Sequence, residues 1–132
     1  MKWRFFPAPE GQGGNAAIPM TLSTHVLDAM TGRPAAGVQV RLEHGADVGW
    51  APAGQGQTDT DGRLRLSGLG GAADFEPGVY RITFGTGAYF TARGVPSFYP
   101  EVTITFEMTA RDEHYHVPLL LSPYAYSTYR GS

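Results

Sequence analysis

The chain has 132 residues, of which 42% are hydrophobic and 17% are charged, and its formal net charge is −2. This length and composition are typical of one globular domain with a single hydrophobic core, and they exclude a disordered chain. Since no run of basic residues is present, the sequence gives no electrostatic support for a nucleic-acid partner or an anionic membrane surface. The absence of cysteine excludes disulfides and thiolate metal sites.

The first seventeen residues contain two prolines and three glycines. This composition predicts a flexible N-terminal leader over residues 1–17, followed by one domain over residues 18–132. The leader lacks the continuous stretch of about 7–15 apolar residues that a secretory signal needs. No segment reaches the roughly 18 apolar residues of a membrane span. We therefore expect no membrane association and a cytoplasmic location.

From Ile18 onward, apolar and polar residues alternate with a period of two, and Gly, Pro or Asp interrupts them about every ten residues. The predicted strands, in chain order, cover residues 22–27, 38–43, 55–59 (the weakest), 63–66, 80–84, 102–107, 114–121 and 126–130. One short helix is expected from Thr86 to Arg93, and Asp61–Gly62 is a tight-turn signal. About eight short strands with turns between them predict an all-β antiparallel sandwich or barrel.

Three polar residues on the outward faces of these strands could carry chemistry: His25, Arg63 and His116. Each of them alone is better explained as an ordinary solvated side chain. However, the outward faces of two of these strands also carry apolar residues, namely Leu27, Pro118 and Leu120. Such a mixed face predicts a surface that another subunit covers.

Two other kinds of site receive less support. His114 and His116 share one strand face at a spacing of two, which some zinc sites use. Because no third ligand lies nearby in the sequence, a zinc site is the weaker alternative. Ser122 and Ser132 lack the G-x-S-x-G context of a serine nucleophile.

Four segments carry a resemblance to a known family: LSTHVLDAMTGRPAAGV (22–38), TDTDGRL (58–64), FYPEVTITF (98–106) and HYHVPLLLSPYAYSTYRGS (114–132). Over about residues 19–132 the chain resembles the 5-hydroxyisourate hydrolases, which are transthyretin-related proteins. The final YRGS is the most specific part, because in that family it closes the chain and separates the enzymes from transthyretin itself. The resemblance implies a transthyretin-like (prealbumin-like) sandwich of two four-stranded sheets and one short helix. It also implies a homotetramer, a dimer of dimers whose central channel holds the active sites.

The implied activity is hydrolysis of 5-hydroxyisourate to 2-oxo-4-hydroxy-4-carboxy-5-ureidoimidazoline in urate breakdown, with no cofactor and no metal. Matched position by position, the family's catalytic residues fall on His25 in STHVLD, Arg63 in DGR and His116 in HYHVPLLLSP. One of the two histidines would deprotonate a water molecule while Arg63 orients the ring. Which histidine is the base stays open.

The resemblance also implies that His25, Arg63 and the chain end bind the substrate. The residues concerned at the end are Tyr129, Arg130 and Ser132. Within this group Tyr129 is expected to cover the flat ring. Arg130 alternates to the opposite strand face, so it is expected to anchor the end through a carboxylate or a backbone oxygen. The chain departs from the family in its leader and at Gly85, where an aspartate is more usual.

A non-enzymatic alternative is a transthyretin-like carrier that binds a small ligand in the same channel. A carrier would be expected to place apolar or long aliphatic residues along that channel. This chain has two histidines and two arginines there and ends in YRGS, which favours the enzyme.

Overall fold

The computed structural model describes residues 20–66, 75–109 and 113–131, so the predicted leader at 1–17 and the start of the domain at 18 lie outside the described residues. Within those ranges the chain forms nine strands and one helix. In chain order these are β1 (Thr21–Asp28), β2 (Arg33–Pro34), β3 (Gln39–Gly45), β4 (Trp50–Gln57), β5 (Arg63–Arg65), β6 (Gly78–Phe84), α1 (Thr86–Ala92), β7 (Val102–Met108), β8 (His114–Ser122) and β9 (Ala125–Thr128).

The strands form two sheets. In the first sheet β1 pairs with β8, β9 continues from β8, and β2 and β5 both pair with β1. The second sheet has the order β4-β3-β6-β7, and all its pairs are antiparallel. The predicted antiparallel sandwich is confirmed, with one exception among the described strand pairs: β1 and β8 run parallel. Alternation along a strand reports which residues face the core and carries no information about the direction of its neighbour.

The hydrophobic core lies between the two sheets and takes alternate residues from each strand. Its strand residues include Leu22, Val26, Val40, Leu42, Tyr80, Ile82, Phe84, Val102, Tyr115, Val117, Leu119 and Leu121, each less than a tenth exposed. Burying side chains of this size stabilises a fold by about 1.5–3 kcal/mol each. The predicted core-facing sets are therefore confirmed, although Leu64, Ile104 and Phe106 are only partly buried at the margin.

Several predicted boundaries are wrong. The weak strand expected at 55–59 is Trp50–Gln57, an eight-residue strand whose Gly, Ala and Pro content weakens its alternation. The last strand is Ala125–Thr128 rather than 126–130. The two-residue strand Arg33–Pro34 is too short to show a period. The predicted helix is confirmed within one residue, and Gly85 at its start provides no side-chain cap.

A buried carboxylate ties the helix to the first sheet. Asp28 is 1% exposed and accepts a 2.8 Å hydrogen bond from the Tyr89 hydroxyl. The same carboxylate accepts hydrogen bonds from the backbone amides of Met30 and Thr31. Burial, together with the Asp28 carboxylate, raises the pKa of Tyr89 to about 12. The short helix, the only one in the described part of the chain, is far from long enough to cross a membrane.

Candidate active site

The pairing register of the first sheet brings the predicted site residues together. His25 lies directly opposite Arg63 in the antiparallel pair of β1 and β5. On the other edge of β1, Ser23 is the register partner of His116. Directly paired residues share a face of a sheet, and so do residues two apart on one strand. Because Thr24 between Ser23 and His25 is fully buried, all four of these side chains lie on the outer face.

His116 is the histidine that the surroundings constrain most. Its ring is half-buried, and Nδ1 lies 2.8 Å from the hydroxyl oxygen of Ser23. Burial lowers the pKa of His116 below its ordinary value, and repulsion from His114, His25 and Arg63 lowers it further. A neutral imidazole at neutral pH can accept a proton, which is the requirement for a general base.

Two residues that sequence reasoning missed connect His116 to its neighbour. The Ser23 hydroxyl also lies 2.9 Å from Nε2 of His114, and the Thr21 hydroxyl is hydrogen-bonded to Nδ1 of His114. Ser23 and Thr21 precede His25 at spacings of two and four, so their outward direction could be read from the sequence. Their proximity to β8 depends on the parallel register, which the sequence does not show.

Arg63 follows a turn that is held by Asp59. One carboxylate oxygen of Asp59 accepts hydrogen bonds from the backbone amides of Asp61 at 2.8 Å and Arg63 at 2.9 Å. The Arg63 amide lowers the pKa of Asp59 most, so the carboxylate stays charged beside the arginine. Gly62 has a φ of +76°, and a Cβ there would lie 2.5 Å from the carbonyl oxygen of Val26. The turn predicted from Asp61–Gly62 is confirmed, and both its geometry and its packing require the glycine.

A polar pocket of about 580 Å³ opens on this face. It is lined by Ser23, Thr24, Asp59, Arg63, Leu64, Arg65, His114 and His116. The pocket thus combines imidazole groups with two guanidinium groups, which can donate to carbonyl oxygens and stabilise negative charge. His25 is half-buried and lies next to this pocket. It is placed there because it is directly opposite Arg63 in the pairing of β1 and β5.

The chain end passes over His116. The Gly131 amide donates a 2.9 Å hydrogen bond to the carbonyl oxygen of His116, and the two residues form an isolated β-bridge. A Cβ at position 131 would lie 2.5 Å from the His116 ring, so glycine is required there. Tyr129 is 60% exposed and lines a second cavity of about 240 Å³, which His116 and Arg130 also line.

Arg130 contacts Glu113 and Tyr115, which lie outside the lining of the polar pocket. Its guanidinium donates to the carboxylate of Glu113 at 2.9 Å and lies 4.8 Å from the centre of the Tyr115 ring. This contact agrees with the expected anchoring of the end through a carboxylate, and the substrate-binding role of Arg130 stays a prediction. Ser132 lies outside the described residues, so its expected role stays a prediction.

The zinc alternative gains no support from the geometry. Across residues 20–66, 75–109 and 113–131, no group of three or more His, Asp or Glu side chains is placed to hold a metal ion. Both ring nitrogens of His114 and Nδ1 of His116 face hydroxyl groups of Thr21 and Ser23.

The apolar residues beside the site are only partly as predicted. Leu27 and Leu120 are half-buried, which leaves apolar surface on the outer face. Pro118 was expected to need a covering subunit, but it is already buried within the chain. Its neighbour β9 lies along this part of β8, and the Thr128 hydroxyl donates a 2.6 Å hydrogen bond to the Pro118 carbonyl oxygen.

Both the sequence and the fold are similar to those of known proteins. The profile of the HIUase/Transthyretin family matches residues 22–131. The chain is 50% identical over 117 residues to 5-hydroxyisourate hydrolase of Salmonella typhi, a match covering 89% of this chain and 85% of the relative. The structure of Klebsiella pneumoniae 5-hydroxyisourate hydrolase is 38% identical, with a TM-score of 0.71, over 85% of this chain and 99% of the other.

Transthyretin from Sparus aurata is also similar in structure, with a TM-score of 0.76 and 33% identity, over 83% of this chain and 95% of the other. The fold is thus common to proteins named as hydrolases and to transthyretin, so it does not by itself separate them. The profile match spans nearly all of the predicted domain, and the expected transthyretin-like fold is confirmed. The chain belongs to the HIUase/Transthyretin family.

Proposed function

We propose that this chain hydrolyses 5-hydroxyisourate to 2-oxo-4-hydroxy-4-carboxy-5-ureidoimidazoline in the breakdown of urate. Relatives that are 44–50% identical over at least 84% of the chain carry the name 5-hydroxyisourate hydrolase, which supports this activity. The structural observation that carries the proposal is the half-buried His116 ring, held by Ser23 at 2.8 Å in the pocket that Arg63 lines.

His116 is the general base in the proposed reaction. Its lowered pKa leaves it neutral, so it removes a proton from water as the water oxygen bonds to C6 of the substrate. The C6–N1 bond then breaks, and N1 receives a proton. Only water is consumed, so the proposal includes no cofactor and no metal.

Arg63 and His25 act on the substrate from the neighbouring position. Arg63 donates to the ring carbonyls and stabilises the oxyanion that forms at C6. His25, directly opposite Arg63, positions the ring or the water. The chain end completes the substrate-binding group: Tyr129 covers the flat ring, Ser132 adds a hydroxyl, and Arg130 supports both through its ion pair with Glu113.

The direct test is to mix the purified chain with freshly generated 5-hydroxyisourate and follow the decay of its ultraviolet absorbance. We expect decay well above the spontaneous rate, and abolition of the excess by the double variant His25→Asn, His116→Asn. A decay rate equal to buffer alone would refute the proposal.

The carrier is the second candidate, because transthyretin has the same fold. The observation against it is the lining of the pocket, which includes two arginines and two histidines. An apolar carrier ligand would have to desolvate these charged and polar groups without pairing them. Calorimetry with an apolar ligand would decide, since tight binding without hydrolysis favours the carrier.

We also propose a homotetramer, a dimer of dimers, in which a second subunit covers the half-buried Leu27 and Leu120 beside the site. Light scattering at micromolar concentration tests this assembly, and a fully active monomer would contradict it.

The proposal includes no nucleic-acid partner, in agreement with the net charge of −2. A cytoplasmic location stays a prediction that cell fractionation would test.

A further inference from the structure

A continuous row of hydrogen bonds leads away from the proposed base. Nδ1 of His116 lies 2.8 Å from the Ser23 hydroxyl oxygen, which lies 2.9 Å from Nε2 of His114. The other ring nitrogen of His114 is hydrogen-bonded to Thr21. We infer that His114, acting through Ser23, fixes the tautomer of His116 so that Nδ1 carries the proton and Nε2 is the free acceptor.

The inference follows from counting protons. The Ser23 hydroxyl has one hydrogen to donate, so at most one of the two ring nitrogens that face it can accept. When the hydroxyl hydrogen lies within the row, either His116 Nδ1 donates to Ser23 and Ser23 donates to His114 Nε2, or the direction is reversed; both rings can donate to the Ser23 oxygen only if that hydrogen points out of the row. The two histidine tautomers are therefore coupled through a single hydroxyl.

The charge of the pocket selects between these directions. Arg63 and Arg65 line the same pocket as His116 and carry permanent positive charge, which exceeds the single negative charge of Asp59 in the same lining. In a cationic pocket, the His116 nitrogen that does not face Ser23 (Nε2) is more stable with a lone pair than with an N–H. That preference places the His116 proton on Nδ1, the Ser23 hydrogen toward His114, and the His114 proton on Nδ1 beside Thr21.

His114 and Ser23 are thus positioning residues that act through His116. In this direction His116 can gain a proton at Nε2 without any rearrangement of the row. In the reverse direction Nε2 already carries hydrogen and cannot act as a base. The consequence for catalysis rests on the proposed function, whereas the tautomer itself can be measured without substrate.

The test is nitrogen-15 NMR of the imidazole rings in the full chain, which reads the ring nitrogen that carries the proton. In the wild type we expect both His114 and His116 with the proton on Nδ1. Ser23→Ala should give His116 a mixture of tautomers, and Ser23→Thr, which keeps the hydroxyl, should restore the single form. A proton on Nε2 of His116 in the wild type would overturn the inference, whatever the activity.

Kinetics supply a second measurement. Ser23→Ala and His114→Ala should lower kcat by about 10–100-fold, the typical effect of removing a partner that orients a histidine, with little change in KM. Ser23→Thr should recover most of the loss. Equal kcat for Ser23→Ala and wild type would contradict a positioning role. If the chain shows the expected tautomers but does not hydrolyse 5-hydroxyisourate, the inference is supported and the proposed function is refuted.

Discussion

Gly131 and His116 are joined by a hydrogen bond of 2.9 Å from the Gly131 amide to the His116 carbonyl oxygen. The contact also brings the Gly131 backbone close to the His116 ring. A Cβ at position 131 would lie 2.5 Å from a ring carbon of His116. The chain end and the proposed base therefore share one geometry, and a change in one displaces the other.

Gly131→Ala should lower kcat/KM by up to about 10²-fold, since a displacement of about 1 Å in a catalytic group can have that effect. The melting temperature should change little, because Gly131 lies outside the core. Gly85→Ala is the matched control, because a Cβ there meets nothing closer than 3.5 Å. Steady-state kinetics on both variants test the prediction, and full activity of Gly131→Ala would contradict the close contact.

Replacing either proposed catalytic histidine should reduce turnover severely. His25→Asn and His116→Asn are each expected to lower kcat by about 10²–10⁴-fold, the usual contribution of a positioned acid or base. Both side chains lie on the outer face, so circular dichroism should show nearly unchanged melting. His114→Asn should lose less. Equal losses from all three variants would instead favour a metal site at these histidines.

The lowered pKa of His116 predicts the pH dependence. Because burial, His114, His25 and Arg63 all disfavour the imidazolium, the acidic limb of kcat/KM should lie below the ordinary value of 6.5. As the pH falls, this histidine is protonated in the unfolded chain before it is protonated in the folded chain. Its contribution to the free energy of unfolding is therefore complete above pH 6.5. It decreases as the pH falls through the lower folded-state pKa.

Rate profiles and urea denaturation between about pH 4 and 8, a range that includes the ordinary histidine pKa, measure both effects. His116→Gln is the control, because it should lose this part of the pH dependence of stability. An acidic limb at or above pH 6.5 would show that another group is the base.

The Asp59 turn should position Arg63 through hydrogen bonds rather than through charge. Asp59→Ala removes the acceptor for two backbone amides and should lower kcat/KM by about 10-fold or more. Asp59→Asn keeps an oxygen in the same place and should retain most of the activity. If the asparagine variant loses as much as the alanine variant, the carboxylate charge is the important property.

The contact between Tyr89 and Asp28 should matter for stability alone. Tyr89→Phe removes a 2.8 Å hydrogen bond to a buried carboxylate, so we expect the free energy of unfolding to fall by about 1.5–3 kcal/mol. Activity measured well below the melting temperature should be unchanged, because neither residue lines the polar pocket. Urea denaturation provides the measurement. A loss of activity without loss of stability would be contrary to this assignment.

The sequence by itself determined which side chains face the core and which face outward. Period-two alternation reports the face of a strand directly, so the outward directions of His25, Arg63 and His116 could be predicted residue by residue. The Asp61–Gly62 turn was equally readable, because its geometry depends on local φ values. The motifs around these residues also indicated the family correctly.

Only the tertiary structure decided which strands are neighbours and in which direction they run. The parallel register of β1 and β8 places Ser23 beside His114 and His116, and pairs His25 with Pro118, although about ninety residues separate the partners. Pairing at that separation depends on packing between whole sheets, and it leaves no periodic trace in either strand. Gly131 contacts His116 because the chain turns back after β8 and keeps the same antiparallel register beyond the end of β9.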